Sequence, residues 1–353
     1  MTTPRRATRD AITSRAIRAT CAAIVTRART SRATRSAHAT RTARAAQAAR
    51  AAVAVVLVAF VLAGCSDARD RSPRVVVTTN ILGDVTRAIV GGAAEVTVLM
   101  KPDSDPHSFG VSAQEAALIE GADLIVYNGL GLEEGVLRNV EAAKDAGVPA
   151  LAVGEGVDPL RFTADESSGE PDPHFWTDPQ RMARAVDLIA EQVVAHVAGI
   201  DAAAVRAGAA AYRTRVAALD GWVRQQVGTI TPAARLLVTN HHVFGYFAQR
   251  YGFQVVGAVI PSGTTLASPS ASDLKSLRDT IRRTKVKAIF ADSSQPDRLA
   301  QVLASEAGVD VEVVTLFSES LSRRSPGAAT YLDMIRTNTT AIADGLNGRR
   351  RSP

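Results

Sequence analysis

From about residue 75 onward, runs of apolar, mostly β-branched residues alternate with amphipathic stretches. Continuous apolar runs of this length are typical of strands that are buried on both faces of a sheet. Two sets of four strands are predicted, at 75–79, 96–100, 124–127 and 150–153, and then at 236–239, 255–260, 286–290 and 311–317. Because helical stretches separate the strands, we predict mainly parallel sheets with right-handed crossovers.

Residues 201–227 separate the two sets of strands and contain no proline. Their apolar positions recur at helical spacing, namely Val205, Tyr212, Val216, Leu219 and Val223. One helix of this length would span roughly 40 Å; the alternative is two helices broken near Gly208 or Gly221. The predicted fold class is therefore α/β with two lobes. Each lobe has a mainly parallel four-stranded sheet flanked by helices, and one long rigid helix joins them.

The start of the chain has the order of a secretory signal, with a basic segment, an uncharged apolar run at 51–64 and then Cys65. The run is too short for a typical transmembrane helix. Leu-Ala-Gly-Cys resembles a bacterial lipobox, so we expect a lipid on Cys65 and export; an ordinary cleaved signal with a chance cysteine is the alternative. Five segments are predicted: a leader (1–64), a tether (65–73), an amino-terminal lobe (74–200), a linking helix (201–229) and a carboxy-terminal lobe (230–350).

The whole chain carries a formal charge of +6, but the charge is concentrated at one end. Residues 1–50 contain twelve arginines and a single acid, so the remainder is mildly acidic. Nothing in this distribution supports a nucleic-acid partner for the folded part, and none is expected. The only other cysteine, Cys21, lies in the leader, so a metal site in the mature protein has to use histidine and carboxylate.

Several potential ligands follow predicted strands. His107 and His241 each follow one strand of the first and second sets, and Asp292 and Glu319 follow the last two strands. His174 lies in a loop before a helix, from which it can reach the same cleft. Because ligands bind beyond the carboxyl ends of parallel strands, we expect these side chains to converge.

Three imidazoles and one carboxylate make a closed four-coordinate site that suits Zn²⁺. His107 and His174 both stand in an Asp-Pro-His sequence, where proline stiffens the chain. Asp105 or Asp172 is expected to accept the other ring N–H and so fix the tautomer. By contrast, His196 is expected to be an ordinary helix residue, and His242 a neighbour of the site.

The chain resembles the zinc/manganese-binding solute-binding lipoproteins of bacterial metal ABC importers (the cluster A-I, or cluster 9, family). The resemblance runs from about Val75 to Leu346. It rests on an ordered set of segments: TTNILGDVTRAIVGG, KPDSDPHSF, ADLIVYNGLGLE, DPHFWTDP, NHHVFGYFAQRYG, SPSASDLKSL and KAIFADSS. It implies two α/β lobes joined by a rigid helix with a metal between them, and His107, His174 and His241 as ligands.

The resemblance leaves the fourth ligand open between two acids. Where the family usually has Phe-x-Asp-Ser, this chain has Glu319, which we favour over Asp292 as the alternative. A histidine at position 241, where some manganese-binding relatives have glutamate, favours Zn²⁺, with Mn²⁺ as the alternative. The histidine-rich loop of many zinc-binding members is absent at 163–171.

The function that the resemblance implies is capture of a divalent metal, Zn²⁺ before Mn²⁺, and its delivery to an ABC permease with a cytoplasmic ATPase. The protein would be a monomer outside the cytoplasm, lipid-anchored to the outer face of the cytoplasmic membrane or periplasmic, with a metallochaperone as a further partner. The rival class is a zinc-dependent hydrolase, but neither HExxH nor GxSxG occurs. A metal-free binding module is the other rival, and it would not need converging histidines.

Overall fold

The computed structural model describes residues 73–323 and 327–349 of the chain. Eight strands lie in this part: β1 (Arg74–Val77), β2 (Glu95–Val98), β3 (Leu124–Tyr127), β4 (Ala150–Ala152), β5 (Leu236–Thr239), β6 (Gln254–Ala258), β7 (Ala288–Asp292) and β8 (Glu312–Leu316). The α-helices of the same part are α1 (Asn80–Val90), α2 (Ala113–Glu120), α3 (Glu134–Asp145), α4 (Pro179–His196), α5 (Ala202–Val227), α6 (Gly245–Tyr251), α7 (Ala271–Thr284), α8 (Arg298–Glu306) and α9 (Tyr331–Asn347).

The strands form two four-stranded sheets with the same order of strands. The first sheet is ordered β2-β1-β3-β4 and the second β6-β5-β7-β8, and every pair of neighbouring strands is parallel. The predicted two-lobed α/β class is therefore confirmed. In each sheet the chain leaves the two central strands, β1 and β3 or β5 and β7, towards opposite edges, which opens a crevice at the carboxyl ends of the strands.

The linking helix α5 runs without a break from Ala202 to Val227, so the alternative of two shorter helices is wrong. Gly208 lies inside this helix without breaking it. Its lack of a side chain allows a close contact with the backbone of α1. A Cβ at this position would lie 2.3 Å from the carbonyl oxygen of Ile89, at the end of α1. The helix buries an apolar stripe along its length, which holds it against both lobes.

The hydrophobic core extends across both lobes. One large apolar cluster includes residues of the first sheet, of α5 and of the second sheet, for example Val75, Val216 and Phe290. Smaller clusters cover the other face of each sheet, around Ile125 and Ile289. Because the central cluster is shared, the packing favours small movements of the lobes over a wide hinge swing.

Side chains cap the starts of two helices near the site. Ser112 and Glu115 form a capping box at the start of α2, and Asp178 caps α4 with Pro179 in its first turn.

The ends of the strands differ by a few residues from the predicted ends. The strand β7 continues to Asp292, so that this acid ends the strand instead of following it.

The predicted leader, the lipid site Cys65 and most of the tether lie outside the described residues, and the predicted segment boundaries stay predictions. Within the described part, no helix is both long and apolar enough to cross a membrane.

Candidate metal centre

Four loops, two from each lobe, bring together the side chains that the sequence singled out. His107 lies in the loop after β2, and His174 immediately precedes the 3₁₀ turn Phe175–Thr177 at the start of α4. His241 follows β5 within two residues, and Glu319 follows β8. The convergence at the carboxyl ends of the strands arises from the parallel topology of both sheets.

The potential ligand atoms of these four residues all lie within 4.8 Å of one another. The Nε2 atom of His174 is 3.4 Å from Nε2 of His107 and 3.3 Å from Nε2 of His241. Glu319 Oε1 lies 3.3 Å from Nε2 of His241, and Glu319 Oε2 lies 3.9 Å from Nε2 of His107. Three imidazoles and one carboxylate thus face a common point.

The centre is sealed from solvent, and burial sets its electrostatics. Each of the four side chains belongs to a residue that is at most 2% exposed. Burial lowers the pKa of His107 to about 4, and it lowers the pKa values of His174 and His241 as well. Neutral imidazole is the form that binds a metal, so these rings keep their lone pairs available at neutral pH.

The carboxylate of Glu319 lacks hydrogen-bond donors among the described residues. Neither carboxylate oxygen accepts a hydrogen bond from any described residue, and burial raises the pKa of this carboxyl well above its usual range. A buried carboxylate without donors is costly unless a cation compensates it. The acid is therefore suited to a positively charged ligand at the point that the three imidazoles face.

Asp292, the alternative fourth ligand, is occupied by other partners. Its Oδ2 accepts from the backbone N–H groups of Ser318 and Glu319, at 3.1 and 3.2 Å, and from the Ser318 hydroxyl. Its Oδ1 accepts from Ser294. The structure thus places Asp292 beneath the Glu319 loop, where it fixes the backbone that carries Glu319.

The two predicted aspartates differ in what they hold. Asp172 Oδ1 accepts the backbone N–H of His174 at 3.0 Å and lies 2.8 Å from Nδ1 of its ring, as expected for a residue that fixes the tautomer. Asp105 Oδ1 accepts the backbone N–H of His107, also at 3.0 Å, but does not contact its ring. The ring Nδ1 of His107 has no hydrogen-bond partner among the described residues.

Aromatic side chains form the walls of the centre. The ring of Trp176 packs edge-on against His174, and its Nε1 donates to the Ser318 carbonyl across the lobes at 2.8 Å. Phe162 packs against His174 and His242. Asn80 of α1 donates to the Ser320 hydroxyl and accepts from the Leu321 N–H.

These supporting residues were not predicted from the sequence. Trp176 lies two residues after an Asp-Pro-His motif and Asn80 lies in the segment TTNILGDVTRAIVGG, so both could have been suspected, but no local pattern marks Phe162.

The remaining histidines of the described part lie outside the cluster. His242 is not part of it, and its Nε2 lies 2.6 Å from Oδ2 of Asp165 in the loop before His174. His196 is exposed at the last turn of α4. Both positions agree with the expectation that neither residue is a ligand.

The fold and the site define a class of protein, with two α/β lobes on a long helix and a buried site that suits one small, positively charged ligand. Comparison with known proteins specifies the family. Residues 75–345 match the family model of the periplasmic component A of the zinc-uptake complex (ZnuA), and the chain belongs to this family.

Relatives and solved structures agree with this assignment. The chain is 28% identical over 301 residues to the manganese-binding lipoprotein MntA of Halalkalibacterium halodurans, covering 83% of this chain and 97% of the relative. It is also 28% identical to the metal ABC transporter substrate-binding lipoprotein FimA of Streptococcus parasanguinis, covering 83% and 96%. The structure of the periplasmic zinc-binding protein TroA of Treponema pallidum superimposes with a TM-score of 0.72 at 30% identity, covering 78% of this chain and 99% of that one.

Proposed function

We propose that this protein captures Zn²⁺ outside the cytoplasm, with His107, His174, His241 and Glu319 as ligands, and delivers it to a membrane permease. The family gives the general class: the chain is a metal-binding, substrate-binding component of an ABC importer and not an enzyme. A substrate-binding component implies a permease with its ATPase as partner. The identity of the cargo and the residues that hold it are the finer proposal.

The nitrogen-rich set of ligands carries the proposal of zinc, and the spacing of the ligand atoms is compatible with it. Zinc binds imidazole nitrogen at about 2.0–2.1 Å, and the corners of a tetrahedron of that radius are about 3.3 Å apart. The Nε2 atom of His174 lies 3.4 Å from that of His107 and 3.3 Å from that of His241. Oε1 of Glu319 lies 3.3 Å from Nε2 of His241 and 3.6 Å from Nε2 of His174. Mn²⁺ prefers oxygen ligands in a six-coordinate arrangement, which this nitrogen-rich set of four does not offer.

The loop that carries Glu319 supports a proposal for release. Its backbone is held from its own lobe by Asp292 and from the other lobe by Trp176 and Asn80. A small shift between the lobes would pull on this loop from two sides. We therefore propose that docking on the permease detaches the carboxylate first, before the histidines.

Lipid anchoring through Cys65 and loading by a metallochaperone complete the proposal. A lipid anchor would keep the protein close to the permease and so raise its effective concentration there. Mass spectrometry of the protein isolated from membranes tests the anchor. The expected result is a diacylglyceryl-modified cysteine at the amino terminus.

Metal competition tests the cargo. The purified protein is expected to contain one zinc per chain by elemental analysis, and to retain Zn²⁺ over an excess of Mn²⁺ in equilibrium dialysis. Exchange of the bound zinc for equimolar manganese would reject the proposal in favour of a manganese carrier.

A matched pair of variants tests the fourth ligand. Glu319→Gln is expected to lower the zinc affinity by more than tenfold, whereas Asp292→Asn keeps the Glu319 carboxylate and costs less. If Asp292→Asn instead loses more affinity than Glu319→Gln, the assignment of the fourth ligand is wrong. The Co²⁺-substituted protein gives a second measurement, because the d–d spectrum reports the number and type of ligands.

A further inference from the structure

The carboxylate of Asp105 joins the two lobes directly. Its Oδ1 accepts the backbone N–H of His107 at 3.0 Å within the amino-terminal lobe. Its Oδ2 accepts from two residues of the other lobe, Thr265 Oγ1 at 2.7 Å and Gln295 Nε2 at 2.9 Å. Thr265 lies in the loop after β6 and Gln295 in the loop after β7, so two separate loops hold one side chain.

The position of His107 depends on this aspartate. The ring Nδ1 of His107 has no hydrogen-bond partner among the described residues, so the ring is aimed by its backbone. The polar support of that backbone is Asp105, whose carboxylate accepts from His107 N–H and whose carbonyl accepts from Phe109 N–H at 3.1 Å. A displacement of Asp105 therefore displaces His107.

The bonds to Thr265 and Gln295 exist only while the lobes are close together. Asp105 is 7% exposed, and hydrogen bonds to a buried charged acceptor are stronger than those between neutral groups. Neither Thr265 nor Gln295 is a potential ligand of the cargo. Losing them leaves the set of ligands intact but weakens the attachment between the lobes at the place where His107 is held.

We propose that Thr265 and Gln295 are positioning residues that retain the cargo ion, because they tie Asp105, and with it His107, to the carboxy-terminal lobe. The inference rests on the proposed function, which supplies the bound ion. It adds which residues determine how long the ion stays bound. Capture is unaffected, since neither residue is a potential ligand of the ion. Release is accelerated when they are lost.

Stopped-flow transfer of Zn²⁺ from the full chain to a chromophoric chelator measures the release rate. Thr265→Val and Gln295→Leu remove the two donors with little change of shape. Each is expected to raise the release rate about tenfold and the double variant on the order of 100-fold, as for hydrogen bonds to a charged group. The association rate, the stoichiometry of one zinc and the Co²⁺ spectrum are expected to stay unchanged.

Two neighbouring residues give matched controls. Thr264 Oγ1 accepts from the Leu266 N–H, and Gln301 Nε2 donates to Asp297 within α8 and its cap, so neither touches Asp105. Thr264→Val and Gln301→Leu make the same chemical changes in the same lobe. Both are expected to release zinc at the wild-type rate.

A double-mutant cycle with Asp105→Asn assigns the effect to the proposed contact. In that background the Thr265 and Gln295 substitutions are expected to add little to the release rate. A release rate of the double variant within twofold of wild type would overturn the inference, as would a changed Co²⁺ spectrum or full additivity with Asp105→Asn. A wild-type protein that binds no zinc would instead overturn the proposed function, so the two failures are distinguishable.

Discussion

The two Asp-Pro-His segments of this chain, at 105–107 and 172–174, have the same sequence and the same local bond but different tertiary roles. In both, the aspartate accepts the backbone N–H of the histidine two residues later at 3.0 Å. The Asp172 carboxylate then serves the ring of its own histidine, whereas the Asp105 carboxylate serves Thr265 and Gln295 of the other lobe. The motif thus fixes a backbone turn, and the surroundings decide what else the carboxylate holds.

The second segment is also anchored more deeply within its own lobe. Asn128 donates to the Pro173 carbonyl at 3.0 Å, and the Asn128 backbone N–H donates to the buried Glu133. The other lobe reaches this segment through the Tyr246 hydroxyl, which donates to the Asp172 carbonyl at 2.6 Å. His174 is therefore held by bonds from both lobes, whereas the backbone of His107 is held by an aspartate that is itself tied to the other lobe.

The largest expected effect comes from removing either histidine. His107→Ala and His174→Ala each delete a proposed ligand, so the zinc affinity is expected to fall by more than the roughly 100-fold typical of losing an outer partner. Competition with a chromophoric chelator measures the affinity. His242→Ala is the control and is expected to bind like wild type; an equal loss there would contradict the assignment of His241.

Removing the charge of each aspartate separates the two roles. Asp172→Asn is expected to lower the zinc affinity about 10- to 100-fold, because the ring of His174 loses its charged acceptor. Asp105→Asn is expected to act on the release rate and to leave the association rate unchanged. Equilibrium titration together with stopped-flow release distinguishes them.

Identical kinetic profiles for the two aspartate variants would remove the difference that the structure indicates between the segments. A slower association rate in Asp105→Asn would have the same consequence, because it would place this aspartate in the capture step.

The smallest expected effect concerns Glu133, which supports the second Asp-Pro-His segment through Asn128, and its contribution to the free energy of unfolding. Burial raises the pKa of Glu133, although hydrogen bonds from Thr78, Asn128 and Gly129 act in the opposite direction. The folded protein therefore holds this proton more tightly than the unfolded chain. Its contribution to stability is full below the unfolded pKa of about 4.3 and is lost as pH rises through the folded value.

Denaturant unfolding of the protein and of Glu133→Gln at several pH values measures this contribution. The free energy of unfolding of the wild type is expected to fall with rising pH relative to the variant. The slope cannot exceed about 1.4 kcal/mol per pH unit, because a single proton is involved. Parallel curves for the two proteins would show that Glu133 titrates normally.

Much of the fold was determined by the sequence alone. Eight apolar runs and the proline-free stretch 201–227 predict two parallel sheets and a long helix, because burial on both faces and helical spacing are local properties of the chain. The ends of the strands were predicted less accurately, as at β7, where Asp292 lies inside the strand. The conformation of a strand end depends on its neighbours in the sheet more than on its own residues.

The candidate centre was likewise determined in part by the sequence and in part by the tertiary structure. The sequence by itself determined the residue types and their places after strands, and so which side chains are able to converge. Only the tertiary structure decided that Glu319 faces the histidines while Asp292 holds its loop, and that Asp105 bonds to Thr265 and Gln295. Contacts between residues some 160 to 190 positions apart leave no local pattern, because they depend on how two independently patterned lobes pack together.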